Sequence, residues 1–240
     1  MWYDDFVGIT TKAMDQRVQE ALYARGVTDA QIALYRLGYV DRKLPPLDYP
    51  PSFLSWCHRG EKLDDSIVLP LTNTLGDIRG FQFRHVEQTR KGYSDFMLEK
   101  GEAVLFGLGQ AMPYIWAKRR ILLVEGGFDL FPMQRYFPET TATLTAHILD
   151  SLVRILRRVG VKDMLLAYDN DKAGRSSAEE VKKHYGDKFR VASFCFPRET
   201  MASGQLTKDP SDLWETLGEV GFSEFLRFYT KKHHLEIFDA

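Results

Sequence analysis

Two short apolar runs, each ending in acid and then in glycine, constrain this chain more than any other feature. Ile121–Val124 leads into Glu125, Gly126 and Gly127, and Met164–Tyr168 leads into Asp169, Asp171 and Gly174. A short, unbroken apolar run fits a strand buried on both faces. Glycine allows the backbone to turn sharply where such a strand gives way to a helix. Between the runs, from about His147 to Val159, apolar Ile148, Leu149, Leu152, Ile155, Leu156 and Val159 recur at helical spacing, with Arg154, Arg157 and Arg158 on the other side. Strands alternating with helices imply parallel strands joined by right-handed crossovers. The carboxyl ends of such strands share one edge, where sites form. Glu125, Asp169 and Asp171 are therefore expected to converge in space.

Carboxylates gathered at one edge raise each other's pKa unless a cation intervenes. A donor set of oxygens without His or Cys suits Mg²⁺ or Mn²⁺, ions used to handle phosphate oxygens. A single acid in such a place could simply cap a helix. Glu-Gly after one buried strand and Asp-x-Asp-x-x-Gly after another favour a metal site.

The rest of the chain divides by pattern. Helices are expected from Asp15 to about Ala24, ended by Gly26, and from Thr28 to Tyr35, stopped by Gly38. Four prolines in Leu44–Pro51 suggest a linker. Ser66–His85 reads as a β-hairpin, with strands Ile67–Leu71 and Ile78–His85. Phe81 and Phe83 alternate there with Gln82 and Arg84, as one buried face requires. Lys118, Arg119 and Arg120 precede the first core strand at its amino end, which favours a solvated or partner-facing role. Gly127–Phe137 should be helical, starting late because Pro132 is tolerated in a first turn. Ala142–Leu144 and Val191–Phe196 are further strands, and Trp214, Leu217, Phe222, Phe225, Leu226 and Phe228 supply short packing helices.

Composition bounds the setting. The formal net charge of −1 is unlike that of a dedicated duplex-DNA binder. No apolar run approaches membrane-spanning length, and the amino terminus does not read as a secretory signal. Two cysteines, Cys57 and Cys195, suggest a reducing cytoplasmic compartment and no disulfide framework. Cys57-His58 lacks a second Cys/His pair at ligand spacing, so the two read as ordinary loop residues and no zinc is expected in the chain. His233-His234 reads as solvated.

VEGGFD (Val124–Asp129) and YDNDKAGR (Tyr168–Arg175) resemble the two signatures of the Toprim domain, found in primases, topoisomerases and some nucleases. KDPSD (Lys208–Asp212) resembles that domain's third acidic region. YARGVTDAQIALYRLGYV, the hairpin SIVLPLTNTLGDIRGFQFRH and a shortened KGYSDFMLEKGEAVLFGLGQA resemble successive segments of the bacterial DnaG-type primases, so that the likeness spans roughly Asp15 to Tyr229. The resemblance implies an α/β fold: a Toprim domain with a sheet of about four parallel strands flanked by helices, preceded by a small α+β subdomain. It implies segments 1–115 (primase-core subdomain), 116–212 (Toprim) and 213–240 (short helices).

It also implies synthesis of RNA primers from ribonucleoside triphosphates on single-stranded DNA, a nucleotidyl transfer with Mg²⁺ or Mn²⁺ as cofactor. The candidate ligands are then Glu125, Asp129, Asp169, Asp171, Asp209 and Asp212, with Glu125, Asp169 and Asp171 catalytic. Glu125 binds metal or acts as general base; Asp129 binds metal or caps its helix. Arg84 and Lys91, by position, and Lys172 and Arg175, at a helix amino end that attracts phosphate, would contact nucleotide or nucleic acid. Leu144-Thr145-Ala146 stands where the family commonly has glycine, so no close backbone approach to phosphate is expected there. A Toprim nuclease and a non-catalytic DNA- or helicase-binding replication subunit are the competing readings. The zinc-binding region that precedes the family's core and the helicase-binding region that follows it find no counterpart, so a minimal or split form like those of phages is expected, with a replicative helicase and a zinc-binding module acting in trans.

Overall fold

The computed structural model describes residues 1–58, 63–87, 93–99, 104–145, 148, 150–194, 196–197, 199, 204 and 206–233. Lys91, Cys195, Ala146, His147 and His234 lie outside the described residues, as does the side chain of His233. The chain divides into two compact units, Met1–Tyr23 with Thr28–Val104, and Ala24–Val27 with Leu105–Ala240.

In chain order the elements are α1 (Trp2–Lys12), α2 (Gln16–Ala24), α3 (Asp29–Tyr35), β1 (Gly38–Val40), α4 (Pro51–His58), β2 (Ser66–Thr72), β3 (Ile78–His85) and β4 (Tyr93–Met97). There follow α5 (Leu108–Lys118), β5 (Arg120–Val124), α6 (Leu130–Gln134), β6 (Thr140–Ala142), α7 (Asp150–Arg158), β7 (Asp163–Ala167), α8 (Lys172–Tyr185), β8 (Arg190–Ser193) and α9 (Pro210–His233), the last broken at Gly218.

The first unit is built on an antiparallel sheet ordered β1-β2-β3-β4. The expected hairpin is β2–β3, turned by Asn73, whose Oδ1 accepts from the N–H groups of Leu75 and Asp77 at 2.9 and 3.0 Å. Phe81 and Phe83 pack with Phe6 and Val7 of α1 and with Phe53 and Trp56 of α4 in one aromatic core. Three local expectations are corrected. Gln82 is buried, and Asp95 on the paired strand β4 accepts its Nε2–H at 2.9 Å, which satisfies that buried donor. The proline-rich stretch ends by starting α4, where Pro51 occupies a position with no helical N–H partner to lose. Cys57 and His58 consequently lie in the last turn of that helix and not in a loop.

The second unit carries a parallel sheet ordered β6-β5-β7-β8. Ile121–Val124 is fully buried and flanked by β6 and β7, as its unbroken apolar character requires. Burying each of those side chains contributes roughly 1.5–3 kcal/mol. α7 forms between β6 and β7 with Leu152, Val153 and Leu156 inward. α6 is shorter than the sequence suggests, since the chain turns through Gly126–Asp129 before Leu130 and Pro132 sits in its first turn. β6 falls at Thr140–Ala142, two residues earlier than the expected strand and sharing Ala142 with it.

The basic triplet is another correction. Lys118 and Arg120 do not face solvent or a partner: Lys118 Nζ lies 3.1 Å and Arg120 Nε 2.7 Å from the carboxylate of Glu139, which is completely buried. A buried acid requires paired cations, and two residues read as surface charge supply them. Arg119, between them, ends α5 in the left-handed region and its carbonyl accepts the Lys162 N–H at 2.7 Å. No helix among the described residues is long and apolar enough to cross a membrane.

Candidate metal centre

The carboxyl edge of the parallel sheet gathers the acids. β5 ends at Val124 and delivers Glu125; β7 ends at Ala167 and delivers Tyr168 and Asp169; the segment before α9 delivers Asp209. Asp129, Asp169 and Asp209 each offer a carboxylate oxygen, and these oxygens lie within 4.8 Å of one another. Three convergent carboxylates with no nitrogen or sulfur donor fit a hard divalent cation.

Backbone N–H groups aim Asp129, Asp209 and Glu125, while the Asp169 carboxylate is held by a side chain, that of Lys208. Asp129 accepts the Gly126 N–H at 2.9 Å through Oδ2 and the Ser211 N–H at 3.3 Å through Oδ1, so its turn is tied to the start of α9. Asp209 accepts the Asp212 N–H at 2.8 Å, and Asp212 in turn accepts the Lys208 N–H at 3.2 Å. Glu125 Oε1 accepts the Asp169 N–H at 3.3 Å, which puts it beside the trio. Asp171 serves differently, as the N-cap of α8, where it accepts the Gly174 N–H at 2.9 Å.

Of the six acids expected as ligands, the structure therefore brings Asp129, Asp169 and Asp209 together. Glu125 adjoins them, Asp212 braces the loop and Asp171 caps. Lys172 and Arg175 stand exposed in the first turn of α8, with Arg175 Nη1 donating to Asn170 Oδ1 at 2.8 Å. Arg84 lies on β3 in the other unit, half-buried.

The electrostatics express crowding. Burial pushes the Glu125 carboxyl up to about 7, helped by the charges on Asp169 and Asp171. Burial, then Asp209, holds Asp129 well above the usual carboxylate range. Asp169, Asp209 and Asp212 are raised by the same first cause. Lys208, for which the sequence suggested no role, partly relieves this: its Nζ lies 2.5 Å from Asp169 Oδ2 and 3.6 Å from Asp209 Oδ2. Its place as the first residue of the KDPSD segment was the available signal.

These shifts carry a sign. An unfolded glutamate ionises near 4.5 and the folded Glu125 near 7, so in that window the folded chain holds protons that the unfolded chain has released. Stability without metal is thus highest below about pH 4.5 with respect to this group and falls as pH rises to about 7. We expect the Tm in EDTA to be lower at about pH 7.5 than at about pH 5.5, with a smaller drop in Glu125→Gln. A drop undiminished in that variant would contradict the assignment.

Comparison with known proteins gives a consistent result. Residues 122–213 match the Toprim-like family. DNA primase of Deinococcus radiodurans is 27% identical over 166 residues, covering 67% of this chain and 28% of the relative. DNA primase of Chlamydia muridarum is 27% identical over 218 residues, covering 82% of this chain and 36% of the relative. The chain thus spans about a third of the length of these curated relatives. Among solved structures, the zinc-binding and RNA polymerase domains of Aquifex aeolicus primase match with a TM-score of 0.69 and 20% identity, over 95% of this chain and 59% of that one. The E. coli primase catalytic core matches with a TM-score of 0.70 and 18% identity, over 94% of this chain and 78% of that one. A DnaG catalytic domain bound to single-stranded DNA matches with a TM-score of 0.68 and 20% identity, over 94% of this chain and 76% of that one. These likenesses establish the fold as that of a DnaG-type catalytic core.

Proposed function

We propose that this chain, a Toprim-bearing relative of the DnaG-type primases, is a primase polymerase core that joins ribonucleotides into short RNA on single-stranded DNA. The observation that carries this reading is the convergence of Asp129, Asp169 and Asp209 at the carboxyl edge of a sheet with the DnaG-type fold. Phosphoryl transfer leaves little covalent chemistry to the protein and rests on positioning and charge.

In this reading Asp129, Asp169 and Asp209 hold the divalent ion, Mg²⁺ or Mn²⁺, which when bound neutralises charge on the triphosphate. Backbone hydrogen bonds to Asp129 and Asp209 fix those two carboxylates before substrate arrives. Glu125, with its carboxyl near neutrality, is suited to take the proton of the primer 3′-hydroxyl. Lys172 and Arg175, exposed at the amino end of α8, are suited to phosphate oxygens. Arg84 and Lys91 are assigned to template and nucleotide. A replicative helicase and a zinc-binding module are the partners proposed to act with the chain.

The test is primer synthesis on single-stranded DNA with labelled ribonucleotides and Mg²⁺ or Mn²⁺. Short RNA products dependent on template and metal are expected. Cleavage of the template without RNA synthesis would overturn the reading in favour of a nuclease.

A further inference from the structure

Lys208 sits where a cation is needed most. Its ammonium is 2.5 Å from Asp169 Oδ2 and 3.6 Å from Asp209 Oδ2, and these are two of the three acids that converge. The backbone of the same residue is pinned on both sides. Its N–H donates to Asp212 at 3.2 Å, and its carbonyl accepts the Asn170 N–H at 2.6 Å, joining it to the loop that carries Asp169. The main chain is therefore held in place while the side chain, half-exposed, has solvent to retreat into.

The Asp169 oxygen that faces this ammonium cannot at full strength serve both it and a divalent ion. Two cations that close repel, and one carboxylate oxygen has a limited set of lone-pair directions. We propose that Lys208 is the resident counter-ion of the acidic centre, occupying Asp169 when metal is absent and competing with the divalent cation for it. Metal entry then requires the ammonium to leave toward solvent, while its anchored main chain keeps it at the rim. The lysine serves the folded protein by relieving carboxylate repulsion before metal arrives, and it weakens metal affinity in doing so. This inference rests on the reading of the acids as metal ligands.

The experiment is Mn²⁺ binding to the whole chain, followed by electron paramagnetic resonance of the free ion, with Tm measured in EDTA and in Mn²⁺. The proteins are wild type, Lys208→Met and Lys208→Arg. Lys208→Met should bind Mn²⁺ about tenfold more tightly than wild type, since the competitor is gone. Its Tm in EDTA should fall and its rise on adding Mn²⁺ should exceed that of wild type. Lys208→Arg, which keeps a cation there, should stay close to wild type in both measurements. Equal or weaker Mn²⁺ binding by a folded Lys208→Met would overturn the proposal while leaving the metal centre standing. Absence of Mn²⁺ binding by all three proteins would overturn the metal reading and the proposal with it.

Discussion

Replacing Asp169 by Asn is expected to reduce primer synthesis on the order of 10²-fold or more while leaving the chain folded. Asp169 lies at the centre of the acidic edge: its side chain belongs to the convergent trio, its N–H binds Glu125, and its Oδ2 holds Lys208. Asn preserves the shape and the backbone hydrogen bond but removes the charge that a divalent ion would meet. Stability should move little. The pKa of Asp169 is raised on folding, first by burial, so its ionised form is disfavoured there, and losing that charge offsets the loss of the Lys208 pair. A Tm in EDTA within what about 1 kcal/mol would produce, together with loss of the stabilisation conferred by Mn²⁺, would separate a failure of chemistry from a failure of folding. Retention of wild-type synthesis would remove Asp169 from the proposed mechanism.

The acids of this edge were legible because their logic is local. A buried run must end, the chain must turn, and polar groups collect where it turns. What pairs with them was not legible. Lys208 meets Asp169 across 39 residues, and Lys118 and Arg120 meet Glu139 across 21 and 19. Such pairs depend on how the crossovers bring separate loops together, which no periodicity encodes. The basic triplet misled for the same reason: three cations before a strand look solvated until a buried carboxylate is placed beside two of them. Asp129 and Asp171 illustrate a further limit. Each stands at the start of a helix, where capping and ligation require the same side chain. Only the geometry separates Asp129, which joins the trio while accepting two N–H groups, from Asp171, whose carboxylate caps α8. α4 was hidden because prolines mark both a linker and the first turn of a helix. Gln82 looked exposed because alternation predicts one wet face, but it is buried, with its amide N–H donated across the strands to Asp95.

Gly174 ties the local pattern to the site, and its replacement by alanine should be nearly as damaging as loss of a carboxylate. A Cβ added there would lie 2.2 Å from the Asp169 carbonyl oxygen and 2.8 Å from Glu125 Oε1. Both contacts are shorter than real methyl groups show, and the first is with backbone, which cannot swing aside as a long side chain can. The first turn of α8 must therefore move by roughly an ångström, in an interior packed too tightly to absorb the shift. That turn is also where Asp171 receives its N–H, so the cap, the Asp169 loop and the Glu125 carboxylate are displaced together. A misplacement of this size at reacting groups costs about 10²-fold in rate, and overpacking costs about 1–3 kcal/mol of stability. We expect Gly174→Ala to lose both primer synthesis and tight Mn²⁺ binding, with a lowered Tm. Gly76 supplies the control, since a Cβ there meets nothing within 4 Å and the strain of its left-handed backbone is confined to the β2–β3 turn. Gly76→Ala should therefore lower Tm and leave Mn²⁺ binding unchanged. If Gly174→Ala does no more than that, the close packing of α8 on the acidic loop is not what holds the site together.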